Sequence, residues 1–347
     1  MLTAKDRLTA LEYQIFNRLR EHLATQSARA QISAAAVAAA DALCSLAAVA
    51  VKHGYCRPEI VLGDEISITD GRHPVVERML TDSLFVPNDT ILGIDGNQVS
   101  IITGPNMAGK STYMRQVALI VIMAQMGSFV PARSARLGIV DRVFTRIGAS
   151  DDLASGQSTF MVEMTEVASI LKYATAKSLL ILDEIGRGTS TYDGMAIARA
   201  VLEYAASPRH LGAKTLFATH YHELSAIEDE LPNVKNYNIA VKKRGDKMIF
   251  LRKIVPGATD DSYGVDVANL AGLPSSVITR ARQILKELES QNPERTVAHK
   301  VTEPEDQISM MDLSSQQVTD ALRAINVETL TPIEAMNELY KLKKLLG

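Results

Sequence analysis

The chain has 347 residues, of which 46% are hydrophobic and 22% charged, a composition typical of a soluble globular protein with one large or two ordinary domains. Its formal net charge is −3, so no overall basic field favours binding to nucleic acid, and any such binding needs a local basic patch or a partner. Cys44 and Cys56 are too few for a disulfide framework and favour a reduced, cytoplasmic location.

The first 56 residues are predicted to form a pair of long packed helices. Large apolar residues recur at helical spacing over residues 2–25, and a second helical segment covers residues 33–53. Charged residues at positions 5–7 stand where a signal peptide needs its apolar core, so none is predicted. The stretch 32–51 is rich in alanine and contains Asp41, which favours a soluble helix over a membrane span. An open helical pair at the start suggests a piece of a longer protein.

Residues 57–258 are predicted to form an α/β domain with a mainly parallel sheet flanked by helices. Short apolar strands alternate with helical segments in this region, which is the pattern of parallel strands covered on both faces. The predicted strands are 99–103, 179–182 and 215–218, and the predicted helices are 110–126, 161–176 and 194–206. The segments 237–241 and 247–251 flank a turn at Gly245-Asp246 and predict an antiparallel hairpin.

A glycine-rich loop follows the first of these strands and opens the next helix. Glycines can turn successive backbone N–H groups towards one anion, and the helix N-terminus adds partial positive charge. The pattern predicts a site for ATP or ADP, with Lys110 on the outer phosphates and Ser111 on Mg²⁺. A chance glycine-rich turn is the alternative. The nucleotide-binding residues predicted in this segment are Gly104, Pro105, Asn106, Met107, Ala108, Gly109, Lys110, Ser111 and Thr112.

Two carboxylates stand at the end of the predicted strand 179–182. Asp183 suits the coordination shell of Mg²⁺, usually through water, and Glu184 is placed to orient and deprotonate an attacking water. A helix cap and a solvated acid at a strand end are the alternative reading. Together with the glycine-rich loop, the pair favours hydrolysis of ATP.

Two further segments are compatible with phosphate chemistry. Gly156 to Phe160 precedes a predicted helix, so its serine could bind an anion or simply cap that helix. His220 stands just beyond the strand 215–218, where a neutral imidazole could contact the γ-phosphate or the water. A metal site made of His220, His222 and Glu223 is the rival for this histidine.

The end of the chain has two predicted parts. Residues 291–312 are polar and read as a flexible linker, and residues 313–347 hold two short helices. Thr331 and Pro332 are suited to the start of the last helix. The apolar stripe of this helix needs a partner surface to cover it.

Several of these segments resemble the bacterial MutS family of mismatch-repair ATPases, within the ABC-type superfamily. The similar segments are GPNMAGKSTY (104–113), DDLASGQSTFMVEM (151–164), DEIGRGTSTYDG (183–194), THYHEL (219–224), GRHPVVE (71–77), SYG (262–264) and LAGLP (270–274). The resemblance runs from the first helices to the tail. It implies an ABC-type P-loop fold for residues 57–258, with Glu184, Lys110 and His220 as the catalytic residues.

The resemblance also implies roles that single motifs leave open. Members of this family act as dimers in which each site is completed by the other subunit, so Ser158 is expected on the partner's γ-phosphate. Asn106 and His220 match positions near that phosphate, and Phe85 matches a segment that lies against adenine. The segment 262–274, within residues 259–290, matches a helix-turn-helix that the family uses for dimer packing rather than for reading DNA. Asp261 and Asp266 depart from the basic or histidine residues common there, so the details of that contact stay open.

Partners follow from the same resemblance. Family members carry an N-terminal domain with a Phe-x-Glu wedge that reads mismatches, and this chain contains no such motif. Mismatched DNA is therefore expected to be bound by the full-length parent, with little direct contact from this chain. A homodimer, a tetramer formed through the tail, and the repair protein MutL are the expected partners. Gln307 to Met311 resembles a peptide that binds the replication sliding clamp, with a random apolar patch as the alternative.

Two other functions compete with this interpretation. A transporter-type ATPase subunit shares the sheet and both phosphate motifs, but its signature loop reads Leu-Ser-Gly-Gly-Gln, whereas residues 153–157 read Leu-Ala-Ser-Gly-Gln. The second rival is a non-catalytic assembly module in which ATP is only structural.

Overall fold

The structure is a computed structural model that describes residues 2–81, 83–94, 96–105, 108–148, 158–244, 247–259, 263–291 and 336. The chain divides into two compact units, Met1–Ala281 and Arg282–Gly347. Most of the second unit, including the predicted linker and tail, lies outside the described residues. The description below therefore concerns the first unit and the helix that leads out of it.

The N-terminal segment is one continuous helix, α1 (Leu2–His53), and the predicted pair of helices is wrong. Residues 25–33 contain neither glycine nor proline, so nothing in the sequence breaks the helix there. The hydroxyls of Thr25 and Ser27 donate to the carbonyls of His22 and Ala24, at 2.7 and 2.8 Å, and leave the helical backbone intact. At 1.5 Å per residue its 52 residues extend for about 78 Å.

Most side chains of α1 are exposed, including apolar residues such as Leu11, Phe16 and Leu23. Within the described ranges, α1 is the one helix long and apolar enough to cross a membrane by length and composition. Near an N-terminus that is weak evidence, and much of the apolar character comes from alanine, which gains little from lipid. The expectation of no membrane contact stays a prediction.

The larger sheet has six strands in the order β10-β9-β4-β8-β7-β6. Five of them are parallel, and only β10 runs antiparallel to its neighbour β9. The strands are β4 (Val99–Thr103), β6 (Val143–Arg146), β7 (Leu179–Asp183), β8 (Lys214–Ala218), β9 (Val234–Arg244) and β10 (Lys247–Pro256). The predicted parallel strands and the strands of the predicted hairpin are confirmed, while its turn at residues 245–246 lies outside the described residues.

Helices cover both faces of this sheet, as predicted. On β7, Leu179 and Ile181 pack in the core shared with one helix, whereas Leu180 and Leu182 pack in the core on the opposite face. All four are fully buried, which is why this strand reads as an uninterrupted apolar run. The covering helices are α3 (Lys110–Gln125) on the first face and α4 (Thr159–Tyr173) and α5 (Thr191–Ala206) on the second.

A second, mixed sheet of four strands was not predicted. Its order is β1-β5-β2-β3, with β1 parallel to β5 and β2 antiparallel to both β5 and β3. The strands are β1 (Glu59–Val61), β2 (Ile66–Gly71), β3 (Asn88–Leu92) and β5 (Ser134–Gly138). Ile66, Ile68 and Leu92 pack in the same core as α3, so this helix is apolar on most sides because both sheets cover it.

The end of α1 is fastened to this part of the molecule by Arg72. Its Nη2 donates to the carbonyls of His53 and Gly54 at 3.0 and 3.2 Å, and its Nε pairs with Glu77 at 2.7 Å. His73 accepts the N–H groups of Val75 and Val76 on its Nδ1 and so supports the short helix α2 (Val76–Met79). The segment 71–77 is therefore a junction between the long helix and the sheets.

The remaining helices follow β8 and β10. They are the 3₁₀ turn His222–Ala226, α6 (Ile227–Glu230), α7 (Gly264–Leu270) and α8 (Ser275–Gln291). The last two and the turn between them match the predicted helix-turn-helix. Residues 260–262, immediately before it, lie outside the described residues.

Candidate nucleotide site

The loop between β4 and α3 has the backbone that the glycine pattern requires. Gly104 and Gly109 have φ angles of 126° and 112°, which side chains other than glycine rarely adopt. Gly109 caps α3, so the first N–H groups of that helix face the loop. The Lys110 ammonium donates to the carbonyl of Gly104, which ties the two ends of the loop together. Asn106 and Met107 lie outside the described residues.

A cavity of about 650 Å³ lies beside this loop. The carboxyl ends of β4, β6 and β7 all open on it, because these strands are parallel and end at one edge of the sheet. Its lining residues are Pro105, Gly109, Lys110, Ser111, Thr112, Arg115, Arg146, Ile147, Gly148, Thr159, Glu163, Asp183, Glu184, Arg187 and Gly188. The structure thus brings Lys110, Ser111, Asp183 and Glu184 to one cavity.

Buried charges of opposite sign meet at this cavity. Lys110 and Asp183 are 4% and 7% exposed. Burial lowers the pKa of Lys110, and the nearby carboxylates of Glu184 and Asp183 oppose the change. Burial raises the pKa of Asp183, against a hydrogen bond from the Ser111 hydroxyl. For both groups the effect of burial on the pKa exceeds the opposing effect of the neighbours, a condition typical of sites that bind a charged ligand.

Glu184 stands immediately after β7 in a left-handed backbone conformation, with φ of 52°. Its N–H donates to the carbonyl of Ala218 at 2.9 Å, and its carboxylate pairs with Arg187. His220 does not line the cavity, but its imidazole interacts electrostatically with Glu184. Burial lowers the pKa of His220, and Glu184 opposes this change, so the imidazole is neutral at pH 7.

Ser158 caps α4, and its Oγ accepts the N–H of Met161 at 3.2 Å. The helix-cap reading is therefore confirmed within this chain. Ser158 is exposed and does not line the cavity, although Thr159 beside it does. Residues 149–157, which include the rest of the serine-bearing loop, lie outside the described residues.

Phe85 lines a second cavity, of about 270 Å³, that shares Gly109 and Thr112 with the first. The two cavities therefore adjoin at the start of α3. The second one is walled mainly by apolar side chains, including Val76, Leu80 and Val86. This placement suits a flat base next to phosphates.

The competing metal site receives no support from the structure. The described part of the chain contains no group of three or more histidine, cysteine or acidic residues that could hold a metal ion. The Nδ1 of His222 instead hydrogen-bonds the carbonyl of Thr259 at 2.8 Å.

Sequence reasoning missed four charged residues that line the cavity. They are Arg115, Arg146, Glu163 and Arg187. The position of Arg187 could have indicated its role, because a basic side chain three residues after Glu184, in the loop that follows a strand, can form an ion pair with that carboxylate. Glu163 carried another, because it shares one face of α4 with the buried residues Val167 and Ile170.

Two protein families match parts of the chain. Residues 100–289 match the family described as MutS domain V, and residues 314–345 match the family described as DNA mismatch repair protein MutS C-terminal region. Similar proteins are the DNA mismatch repair proteins MutS of Acetivibrio thermocellus and Ruminiclostridium cellulolyticum, 56% and 54% identical over 99% of this chain. That of Methanosarcina mazei is 53% identical over all of it. The chain spans about 40% of the length of these curated relatives.

Proposed function

The chain belongs to the MutS family of DNA mismatch repair proteins, and from this premise we propose that it binds ATP with Mg²⁺ and hydrolyses it as an ABC-type P-loop ATPase at a site shared by two copies. The observation that carries the proposal is the single cavity lined by Lys110, Ser111, Asp183 and Glu184. A phosphate-binding loop, a metal-binding pair and a base for water are the three parts that phosphoryl transfer to water requires.

The residues present fit both parts of a magnesium nucleotide. The Ser111 hydroxyl and the Asp183 carboxylate are joined by a hydrogen bond and supply the oxygen ligands that Mg²⁺ prefers, with Asp183 expected to act through water. Bound there, Mg²⁺ would neutralise charge on the phosphates. The backbone N–H groups at the start of α3 and the Lys110 ammonium would hold the outer phosphates. Phe85 would lie against adenine in the adjoining cavity.

Hydrolysis would proceed by in-line attack of water on the γ-phosphorus. Glu184 would orient that water and take its proton, with neutral His220 beside it as a hydrogen-bond partner of the phosphate or the water. Lys110 would stabilise the negative charge on the phosphoryl oxygens. The ion pair of Glu184 with Arg187 has an exposed partner, since Arg187 is 62% exposed, so little free energy opposes its release.

The shared site rests on Ser158. It is exposed at the N-terminus of α4, where the backbone N–H groups of the first turn and the helix dipole favour an anion. The resemblance to the family implies that this position meets the γ-phosphate of the other subunit. ATP bridging two copies would make the γ-phosphate the contact that differs between nucleotide states. In the parent protein, that difference would switch a mismatch-bound clamp to a sliding one that recruits MutL.

The decisive substitution is Glu184→Gln. The amide keeps the size of the side chain but cannot accept the proton of water, so we expect ATP binding to persist and hydrolysis to fall by about 100-fold or more. Binding is measured with a fluorescent ATP analogue in the presence of Mg²⁺, and hydrolysis by release of phosphate. Glu203→Gln is the control, because Glu203 pairs with Arg199 on the surface and does not line the cavity.

Two outcomes would reject the proposal. An unchanged hydrolysis rate in Glu184→Gln would remove the assignment of the base. Tight binding of ATP with no turnover in the unmodified chain, at any concentration that forms dimers, would favour the non-catalytic assembly module.

A further inference from the structure

Helix α4 holds the loop that follows β7 at two points. The first is the side chain of Glu163, whose Oε1 accepts the backbone N–H of Gly186 at 2.6 Å. The second is a close packing contact, since a Cβ added to Gly188 would lie 3.0 Å from the Cβ of Phe160. Both contacts come from the first turn and a half of α4, and both fall on the loop that begins with Glu184.

Glu163 is an unusual residue for this contact, because its side chain is only 6% exposed. A buried carboxylate is costly unless ion pairs and hydrogen bonds compensate it. Its partners are the N–H of Gly186 and the guanidinium of Arg146, whose Nη2 lies 3.4 Å from its Oε2. A buried carboxylate on α4 therefore accepts one backbone N–H of the loop and is paired with an arginine.

The loop needs such support. Glu184 has a left-handed backbone, which residues with a side chain rarely adopt and which persists only where neighbours enforce it. Gly186 is also left-handed, and a Cβ on it would lie 2.3 Å from the carbonyl oxygen of Gly194, so its position is closely defined. Its carbonyl, which belongs to the next peptide unit, accepts the hydroxyl of Tyr221 at 3.0 Å, so the peptide units on both sides of the Gly186 Cα are held.

We propose that Glu163 is a positioning residue for hydrolysis, which acts by clamping the Gly186 N–H and so keeps Glu184, two residues earlier, in its strained and reactive geometry. The proposal rests on the proposed function, because it takes Glu184 as the base. Glu163 itself is not a catalytic residue: it acts on the loop backbone and leaves the phosphate-binding loop untouched.

A purely structural ion pair between Glu163 and Arg146 is the competing explanation. Arg146 also has Glu166 as a partner, with 3.0 Å between its Nε and Oε2 of that carboxylate, and Glu166 is half-exposed. Among the described residues, Arg146 is the partner found for the Glu166 carboxylate, and no contact of that carboxylate with the loop after β7 is seen. Glu166→Ala therefore removes a carboxylate from the same arginine and serves as the matched control.

The test compares Glu163→Ala, Glu163→Gln and Glu166→Ala by single-turnover hydrolysis, with the rate normalised to bound nucleotide. We expect Glu163→Ala to lower that rate by about 10- to 100-fold, the effect of a misplaced catalytic group, with the Kd for ATP little changed. Glu163→Gln keeps an oxygen that can accept the Gly186 N–H, so it should recover part of the rate. Glu166→Ala should match the unmodified chain.

Gly188→Ala tests the second contact without removing a charge. The added Cβ would press against Phe160 and shift the loop, so the rate should fall again, whereas Gly63→Ala, where a Cβ meets no atom within 4 Å, should have no effect. If Glu163→Ala does not fold, Glu163→Gln and Gly188→Ala decide the question.

Equal single-turnover rates per bound nucleotide in all Glu163 and Gly188 variants would overturn the proposal. So would a Glu163→Gln variant as slow as Glu163→Ala, because that result assigns the effect to the ion pair. Failure of the underlying function looks different: the unmodified chain would not hydrolyse ATP, or Glu184→Gln would hydrolyse it normally.

Discussion

Asp183 carries a free-energy cost when the nucleotide site is empty of cations. Burial raises its pKa above the ordinary 3.8, with the Ser111 hydroxyl opposing. A carboxyl whose pKa is raised by folding stabilises the folded state below the ordinary pKa, and this stabilisation is lost as the pH rises through the folded pKa. At pH 7 the ionised Asp183 is therefore destabilising, and a bound cation would relieve the cost.

Asp183→Asn should consequently raise the Tm of the nucleotide-free protein at pH 7. An increase of about 2 °C is the order that a change near 1 kcal/mol makes in a domain of this size. The same variant should lose the effect of Mg²⁺ on ATP affinity. Thermal unfolding at pH 7 and ATP titrations with and without Mg²⁺ measure the two effects.

Asp141→Asn is the matched control with the opposite sign. Although burial tends to raise the pKa of Asp141, hydrogen bonds from Thr175 and Ser178 outweigh it and lower this pKa. The stabilisation from this group is present above 3.8 and is lost as the pH falls through the folded pKa. The Tm of the Asp141→Asn variant should therefore fall at pH 7. A lower Tm in Asp183→Asn as well would contradict the assignment of Asp183 as a strained charge.

Two elements, α4 and the end of α1, depend on contacts made at their termini. The cap of α4 is Ser158, so one side chain serves both the stability of the helix and the proposed contact with a partner's γ-phosphate. The end of α1 depends on Arg72, whose guanidinium binds two carbonyls at the helix end that have no partner within the helix. The same guanidinium pairs with Glu77 and so connects the helix end to the segment 71–77. Substitutions of Ser158 can separate the stability of α4 from its proposed function, and substitutions of Arg72 can test how the end of α1 is attached to the segment 71–77.

Ser158→Asp separates the two roles of the α4 cap. Aspartate caps helices as well as serine, so Tm should hold, but its charge would repel a phosphate, and ATPase activity should fall by about tenfold or more. Ser158→Ala should lose about 1 kcal/mol of stability together with activity. Thermal unfolding and phosphate release measure both variants. Full activity of Ser158→Asp would leave capping as the only role of this residue.

Arg72→Lys should loosen the end of α1. One ammonium group cannot hold two carbonyls and a carboxylate in the planar arrangement of a guanidinium, so a loss of roughly 1 kcal/mol is expected. Hydrogen exchange of the amides in residues 48–54 should become faster. Arg78→Lys, at an exposed position on α2, is the control. Unchanged exchange in both variants would show that packing alone fixes the junction.

For the whole molecule, the prediction concerns assembly. If Ser158 of one copy completes the site of another, monomers bind ATP but hydrolyse it poorly, and mass action then makes specific activity depend on concentration. The segment 314–345, which matches the C-terminal MutS region, lies outside the described residues except for residue 336, and so does the whole of the proposed clamp peptide at 307–311. Their roles in tetramers and in binding the sliding clamp stay predictions.

Specific ATPase activity should therefore rise as the protein is concentrated and level off once dimers dominate. Sedimentation in the presence of ATP should show the mass doubling over the same range of concentration. Constant specific activity across a wide dilution series, with a monomeric mass throughout, would contradict a shared site.

The sequence by itself determined the parts whose physics is local. Apolar runs predicted β4, β7 and β8 to within one residue, since strands buried on both faces have few polar positions. The glycines at 104 and 109 predicted the loop, because the left-handed backbone there leaves little choice of residue. Lys110, Ser111, Asp183 and Glu184 followed from their positions at strand and helix ends.

Only the tertiary structure decided what depends on pairing between distant segments. The four-stranded sheet, with short strands of mixed direction, has no local signature, and Asn88 completes its hydrogen bonds with backbone groups near residue 252, 164 residues away. The clamp of Glu163 on Gly186 and the ion pair of Glu184 with Arg187 depend on how α4 and the loop after β7 meet. The continuity of α1 is an exception, because it follows from a local fact: residues 25–33 contain no glycine or proline that would end the helix. The separate apolar patterns over residues 2–25 and 33–53 nevertheless led to the prediction of two helices.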